Sequence, residues 1–426
     1  MKTLMPPLRG LAATILTLIV CSYVHAQDTL RLSLPEAEKI FLQKNLSLLA
    51  AKYNVDANKA LIQQARLWDN PYLVTDQNVY DGKFFRHTSD AGQVFIQVQQ
   101  LIRTAGKIKK QTQLATDNAV MAQQQFDDLL RSLQYALRSD FIETEHLMRI
   151  QKVYDVEIAE MSRLVKGMEE VYKAGNISQK DFLRLKALLF SLQNELVNVQ
   201  SQLMPVQSEI KLLLQSSDSS FILPDARYEL SPLINSPLPV ADSLYAMAIN
   251  QRPDAQMAKT ALVFQEHNLA YQKALAKPDV TVGPEYDRLS NYTPNYWGLS
   301  LSLPLNIFNR NQGNIKSAKF SVQQTETELS FSLDKVRNEV NAALEKVRYF
   351  RSVNSSEQQA FSNDYDKMFE NMLQSYRGRQ ISLLDFTDFI DSYKDNKLKL
   401  VEQNINLVKA VAELNYTVNS TIIPLQ

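Results

Sequence analysis

Residues 172–182 read Tyr-Lys-Ala-Gly-Asn-Ile-Ser-Gln-Lys-Asp-Phe, and residues 376–386 read Tyr-Arg-Gly-Arg-Gln-Ile-Ser-Leu-Leu-Asp-Phe. The shared frame, tyrosine then Ile-Ser and Asp-Phe at the same intervals, recurs at a separation of 204 positions. Working outward, earlier landmarks recur at a separation of 207: Asn45 falls on Arg252, Pro71 on Pro278 and Gly106 on Gly313. A repeat this long exceeds any solenoid unit, so a whole architectural half has been duplicated.

Each half holds two short amphipathic strands followed by a very long helical stretch. In the first, the stretch 35–69 keeps apolar residues (Ile40, Leu48, Leu49, Val55, Leu61) at helical spacing and reads as one helix ending at Asp69-Asn70-Pro71. Tyr72 to Tyr80 reads as a strand, followed by a loop to Gly92. In the next strand, Val94, Ile96 and Val98 share one side, opposite Phe95, Gln97 and Gln99. The second half repeats this with Val280 and Val282, a loop through Asn291, and a strand in which Trp297, Leu299, Leu301 and Leu303 alternate with Gly298, Ser300 and Ser302. Apolar on one side, small or polar on the other, and edged by Tyr72, Tyr80, Phe84, Tyr286, Tyr292 and Tyr296, such strands suit a barrel wall between lipid and water.

The helical stretches are the stronger signal. Gly106 to Tyr172 and Gly313 to Tyr376 contain no proline, and at the α-helical rise each would run roughly 95–100 Å. Return helices are expected over about 177–214 and 381–418. The last carries two apolar stripes, Leu383, Phe386, Ile390, Tyr393, Leu400, Leu407, Val411 and Leu414 beside Leu398, Val401, Ile405, Val408 and Ala412, interrupted by Lys397 and Asn404. Two stripes mean packing against neighbours on both sides, as in a ring of helices around a lumen. Four strands cannot close a membrane barrel, whose edges must all be paired. Several chains must contribute, and three copies would supply twelve strands. The segment 215–240, with Pro224, Pro232, Pro237 and Pro239, separates the halves as a short strand-and-turn excursion.

Bulk properties narrow the classes. Residues 1–26 have a basic start (Lys2, Arg9), an apolar run from Leu11 to Val20 and a small-residue cleavage site at Val24-His25-Ala26, the pattern of a secretory signal. The alternative is a lipoprotein signal acylated on Cys21, the only cysteine. Without Lys2 and Arg9, 44 basic residues face 46 acidic ones, a near-balance that argues against nucleic acid as a partner. No window beyond the signal has the apolar run of a membrane-spanning helix. The four histidines (His25, His87, His146, His267) are scattered and no catalytic motif appears, so neither a metal site, a cofactor nor an enzyme is expected.

Taken together, the export signal, duplicated strand–loop–strand, long helices and paired tip motifs resemble the TolC-type outer-membrane efflux proteins over about 34–418. The resemblance implies a mainly α fold with a small transmembrane β-barrel. Its duplicated strand and long-hairpin halves would form a homotrimer, with an α-barrel tunnel below a twelve-stranded β-barrel of four strands per chain. In that scheme 1–26 is the signal, 27–214 and 241–420 are the two repeats, 215–240 is the segment between them and 421–426 is the tail. It implies an outer-membrane protein with a long periplasmic extension that contacts lipid, a periplasmic adaptor and an inner-membrane pump of the resistance-nodulation-division type. By the family's motif positions, Asp385 and Asp388 would line the narrowest point as stacked acidic rings. Tyr376 and Asp181, with Arg377 and Arg379, would make the gate contacts, and Tyr172, Gly175, Ser178, Gly378 and Ser382 would shape the tip turns. Two departures stand out: Ile381 lies where the family often has arginine, and Arg379 holds the motif-glycine place with Gly378 before it. Asp181 and Asp385 also read simply as acids at helix N-termini, and the tyrosines as staples. From a different class, a periplasmic coiled-coil rod or adaptor remains the alternative.

Overall fold

The computed structural model describes residues 29–88, 91–217, 219–225, 228–354 and 356–425; the signal expected over 1–26, including Cys21, lies outside them. In chain order the elements are β1 (Thr29–Leu32), α1 (Leu34–Lys44), α2 (Leu46–Ala65), β2 (Tyr72–Gln77), β3 (Val94–Ile102), α3 (Lys107–Lys173) and α4 (Gln179–Leu214). Then come β4 (Phe221–Pro224), α5 (Leu230–Asn235), α6 (Ala241–Gln251), α7 (Pro253–Leu275), β5 (Val280–Leu289), β6 (Pro294–Ser302), α8 (Gln312–Val353), α9 (Ser356–Arg377) and α10 (Leu383–Val418).

Helix α3 is continuous over 67 residues, about 100 Å. Among the described residues no helix is long and apolar enough to cross a membrane. The four long strands form one antiparallel sheet in the order β2-β3-β5-β6, leaving β2 and β6 as open edges. Its two faces differ as the alternation requires. Ile96, Val98, Trp297, Leu299 and Leu301 are exposed. Opposite them, Gln97 is buried and donates to Glu285 at 2.9 Å, while Gln93 donates to Asp287 at 2.9 Å.

The duplication extends to side-chain roles. Residues 35–69 are not one helix: the chain breaks at Asn45, whose extended backbone (φ −65°, ψ 117°) lets its side chain cap Leu48 N–H. The same amide donates to the Leu213 carbonyl at 3.0 Å, while its counterpart Arg252 donates to the Thr417 carbonyl at 3.2 Å. Leu213 and Thr417 are themselves 204 positions apart. A capping residue that also ties down the far helix gains more here than one more helical turn would give. The stretch 313–376 also departs from a single helix. Asn354 leaves helical geometry (φ −100°, ψ 67°) and donates to the carbonyls of Phe350 at 2.6 Å and Gln403 at 3.3 Å, the local competition that Asn-Ser-Ser runs favour. The first hairpin strand stops at Gln77, followed by an isolated bridge from Tyr80 to Phe84.

Between the halves, β4 pairs in parallel with β1, which had no counterpart in the sequence reading. The side chain of Gln207 on α4 pairs with Ile222 through both its N–H and its carbonyl, at 2.8 and 2.9 Å, acting as one more strand residue. The segment 215–240 also contains the short helix α5. Three apolar clusters hold the body together: one under β1 and β4, one joining α6, α8 and α10, and one along α3, α4, α9 and α10 towards the tips. Both stripes of α10 are engaged across the last two clusters: Phe386, Ile390 and Tyr393 are buried in the one towards the tips, and Leu407, Val411 and Leu414 with Ile405, Val408 and Ala412 in the one shared with α6 and α8.

Candidate functional site at the helical tips

The two hairpin turns adopt the same helix termination. In the first, Asn176 N–H bonds the Val171 carbonyl at 3.0 Å and Gly175 N–H the Tyr172 carbonyl at 2.8 Å. In the second, Gln380 N–H bonds Ser375 at 2.8 Å and Arg379 N–H bonds Tyr376 at 3.0 Å. This pattern needs one residue in the left-handed region. Gly175 supplies it with φ +74°, and Arg379 with φ +55°. Gly378 is not the left-handed residue, so the arginine carries a conformation that glycine would adopt at less cost.

The return helices start identically. Ser178 Oγ accepts from Asp181 N–H at 3.1 Å and donates to the Asp181 carboxylate at 2.7 Å; Ser382 and Asp385 repeat both bonds at 3.1 and 2.7 Å. The tyrosines staple each turn: Tyr172 stacks on Phe182 with centroids 5.0 Å apart, and Tyr376 on Phe386 at 4.5 Å. The structure therefore gives Asp181 and Asp385 a capping role.

The second tip leans on the first. Tyr376 is buried, and burial together with the nearby Asp181 carboxylate raises its phenol above the ordinary value. Arg377 reaches Glu160 on α3, 3.8 Å away. Asp388 is exposed one turn beyond Asp385 on the same side of α10, and Arg379 is exposed as well; among the described residues neither forms an ion pair.

A buried polar cluster above the tip was not read from the sequence. Glu157 on α3 is 1% exposed, and among the described residues neither carboxylate oxygen has a hydrogen-bond partner. Around it, Tyr154 donates to Glu195 at 3.0 Å, and Lys394 on α10 lies 3.1 Å from Glu195 on α4, so three helices meet here. Burial pushes the Glu157 carboxyl up to about 8; Lys394 pulls it down, while Glu195, Asp391 and Asp395 push it further up. The signal was present: Leu147, Ile150, Tyr154, Glu157, Met161, Leu164 and Met168 follow one 3–4 seam of α3. A carboxylate in that seam should be buried.

This arrangement offers no nucleophile beside a base, and among the described residues no cluster of three or more metal-ligating side chains occurs. It is suited to holding helix ends together and presenting acids at one end of a bundle.

Comparison with known proteins agrees with this geometry. Residues 39–214 match the family model for outer membrane efflux proteins. The cobalt-zinc-cadmium resistance protein CzcC of Cupriavidus metallidurans is 24% identical over 301 residues, 70% of this chain and 68% of that protein. A membrane protein from Pseudomonas aeruginosa superposes with a TM-score of 0.75 at 16% identity, over 90% of this chain and 93% of its own. The CmeC outer membrane channel of Campylobacter jejuni superposes with a TM-score of 0.73 at 11% identity, over 91% and 86%.

Proposed function

Because this chain belongs to the outer membrane efflux protein family, we propose that it is the outer-membrane duct of a tripartite export system, a passive channel and not an enzyme. One observation carries the reading: a four-stranded sheet with an apolar outer face and two open edges, continued by a helix of 67 residues. Open edges in lipid must be paired. Pairing β6 of one copy with β2 of the next closes a ring, and three copies give a twelve-stranded barrel above a helical tunnel. The two repeats, 27–214 and 241–420, then supply matching walls, joined by 215–240 and followed by the tail 421–426.

At the far end, three copies of Asp385 and Asp388 would line the lumen as acidic rings that favour cations. Tyr376, Asp181, Arg377 and Arg379 would hold the tip shut until a periplasmic adaptor and an inner-membrane pump, of the resistance-nodulation-division type, engage it. Similarity to a cobalt-zinc-cadmium resistance protein and the acidic tip favour divalent metal cations as cargo.

The chain has one cysteine, Cys21 in the signal, so engineered pairs report cleanly. Cysteines at Leu73 or Thr75 on β2 combined with Leu299 or Leu301 on β6 lie on opposite edges of one sheet and can join only different copies. Oxidation should give a covalent trimer in the outer-membrane fraction. Recovery of monomer in the osmotic-shock fluid would support the periplasmic rod instead.

A further inference from the structure

The two halves differ where the second strand of each hairpin hands over to the long helix. In the first half β3 ends at Ile102 and α3 begins at Lys107, and both cations of that junction are neutralised. Arg103 forks onto Asp69 with two bonds of 2.7 Å, and Lys107 lies 2.6 Å from Asp279. In the second half β6 ends at Ser302 and α8 begins only at Gln312. The longer connection adds Leu303, Leu305, Ile307 and Phe308, all exposed, Phe308 to 89%.

Arg310 stands 207 positions after Arg103, but Ala276 stands where the repeat would place the partner of Asp69. The correspondence holds in space: the Asp69 carbonyl accepts from the Gln100 side chain at 2.9 Å, and the Ala276 carbonyl from the Asn306 side chain at 2.9 Å. Arg310 thus lacks the carboxylate that its counterpart has. Lys316 and Lys319 join it along a groove of about 540 Å³ that also includes Ile315 and Phe320 and has no acidic residue in its lining. Among the described residues, none of these three cations forms an ion pair.

Uncompensated cations beside exposed apolar side chains have the chemistry of a membrane interface. Here the apolar run continues the outward row Trp297, Leu299 and Leu301 of β6. We infer that this groove binds the phosphate-bearing headgroup of an anionic phospholipid in the leaflet on the helical side of the barrel, with Leu305, Ile307 and Phe308 against its acyl chains. The inference rests on the outer-membrane placement proposed above. A lipid is favoured over a soluble phosphate because the apolar run would otherwise face water beside the anion site.

Native mass spectrometry of the detergent-purified oligomer tests it, with phosphatidylglycerol, phosphatidylcholine of the same chains, and inorganic phosphate as probes. The wild type should retain phosphatidylglycerol in preference to phosphatidylcholine. Arg310→Gln, Lys316→Gln, Lys319→Gln together should weaken that retention roughly tenfold or more. Ala276→Asp, which rebuilds the first half's ion pair and keeps every cation, should weaken it in the same direction. Equal retention by wild type and both variants would overturn the inference. Inorganic phosphate held as tightly as the lipid would overturn the lipid source. Recovery of the wild type in the soluble periplasmic fraction would instead sink the channel reading, an outcome that the lipid titration does not share.

Discussion

Gly175 and Arg379 occupy one backbone position in two copies of the same turn, with φ +74° and +55° and matching bonds to Tyr172 and Tyr376. An L-residue held in the left-handed region costs about 1 kcal/mol. Arg379→Gly should therefore stabilise the second tip by about 0.5–1 kcal/mol, and Gly175→Ala should destabilise the first by a similar amount. Melting of the detergent-solubilised oligomer reads both. A lower melting temperature for Arg379→Gly would mean that the side chain makes a contact between copies that outweighs its backbone strain.

Glu157 makes stability fall with rising pH. Its carboxyl is held near 8 against an ordinary value of 4.5, so the fold favours the protonated form. The penalty is absent below about 4.5 and grows until the buried group ionises near pH 8. Glu157→Gln should flatten the melting profile between those limits and stabilise the protein at pH 8 by a few kcal/mol, on the order of the cost of a buried unpaired charge. A wild-type profile that does not fall over this range would show that the carboxylate finds a partner in the assembled oligomer.

The two tip acids separate cleanly by substitution. Asp385 accepts from Ser382 Oγ and helps cap α10, so Asp385→Ala should cost about 0.5–2 kcal/mol of stability as well as a charge. Asp388 has no such bond, and Asp388→Asn should leave the melt unchanged while lowering cation selectivity and weakening block by divalent cations in planar bilayers. Unchanged selectivity in both variants would move the constriction elsewhere.

Tyr376 packs on Phe386 through its ring, and burial with the charge of the nearby Asp181 raises its phenol above the ordinary value. Tyr376→Phe keeps the stack and should raise single-channel conductance if the hydroxyl latches the tip, with Asp181→Asn acting in the same direction. Conductance equal to wild type in both would leave the tyrosine as a staple only.

What could be read along the chain is what near neighbours decide. Alternation in residues 94–99 and 297–303 placed the apolar row on the correct side of the sheet, because successive strand residues point to opposite faces. Asp181 and Asp385 could be placed at helix N-termini because that depends only on residues a few positions apart, while the bonds from Ser178 and Ser382 that complete each cap came from the structure. The breaks at Asn45 and Asn354 were missed because apolar spacing continues across them, and only contacts with Leu213 and Gln403 make the interruption favourable. Glu157 could be placed on the seam of α3, but its burial depends on α4 and α10, whose residues lie far along the chain.

The sequence by itself determined the duplication, the kinds of element in each half and the need for a left-handed residue at Gly175, all of which follow from periodicity and local backbone preference. The tertiary structure alone decided the sheet order β2-β3-β5-β6, the approach of Asp181 to Tyr376, and the loss of water around Glu157. Those depend on which distant segments pack together, and burial changes the free energy of a charge far more than any chain neighbour does.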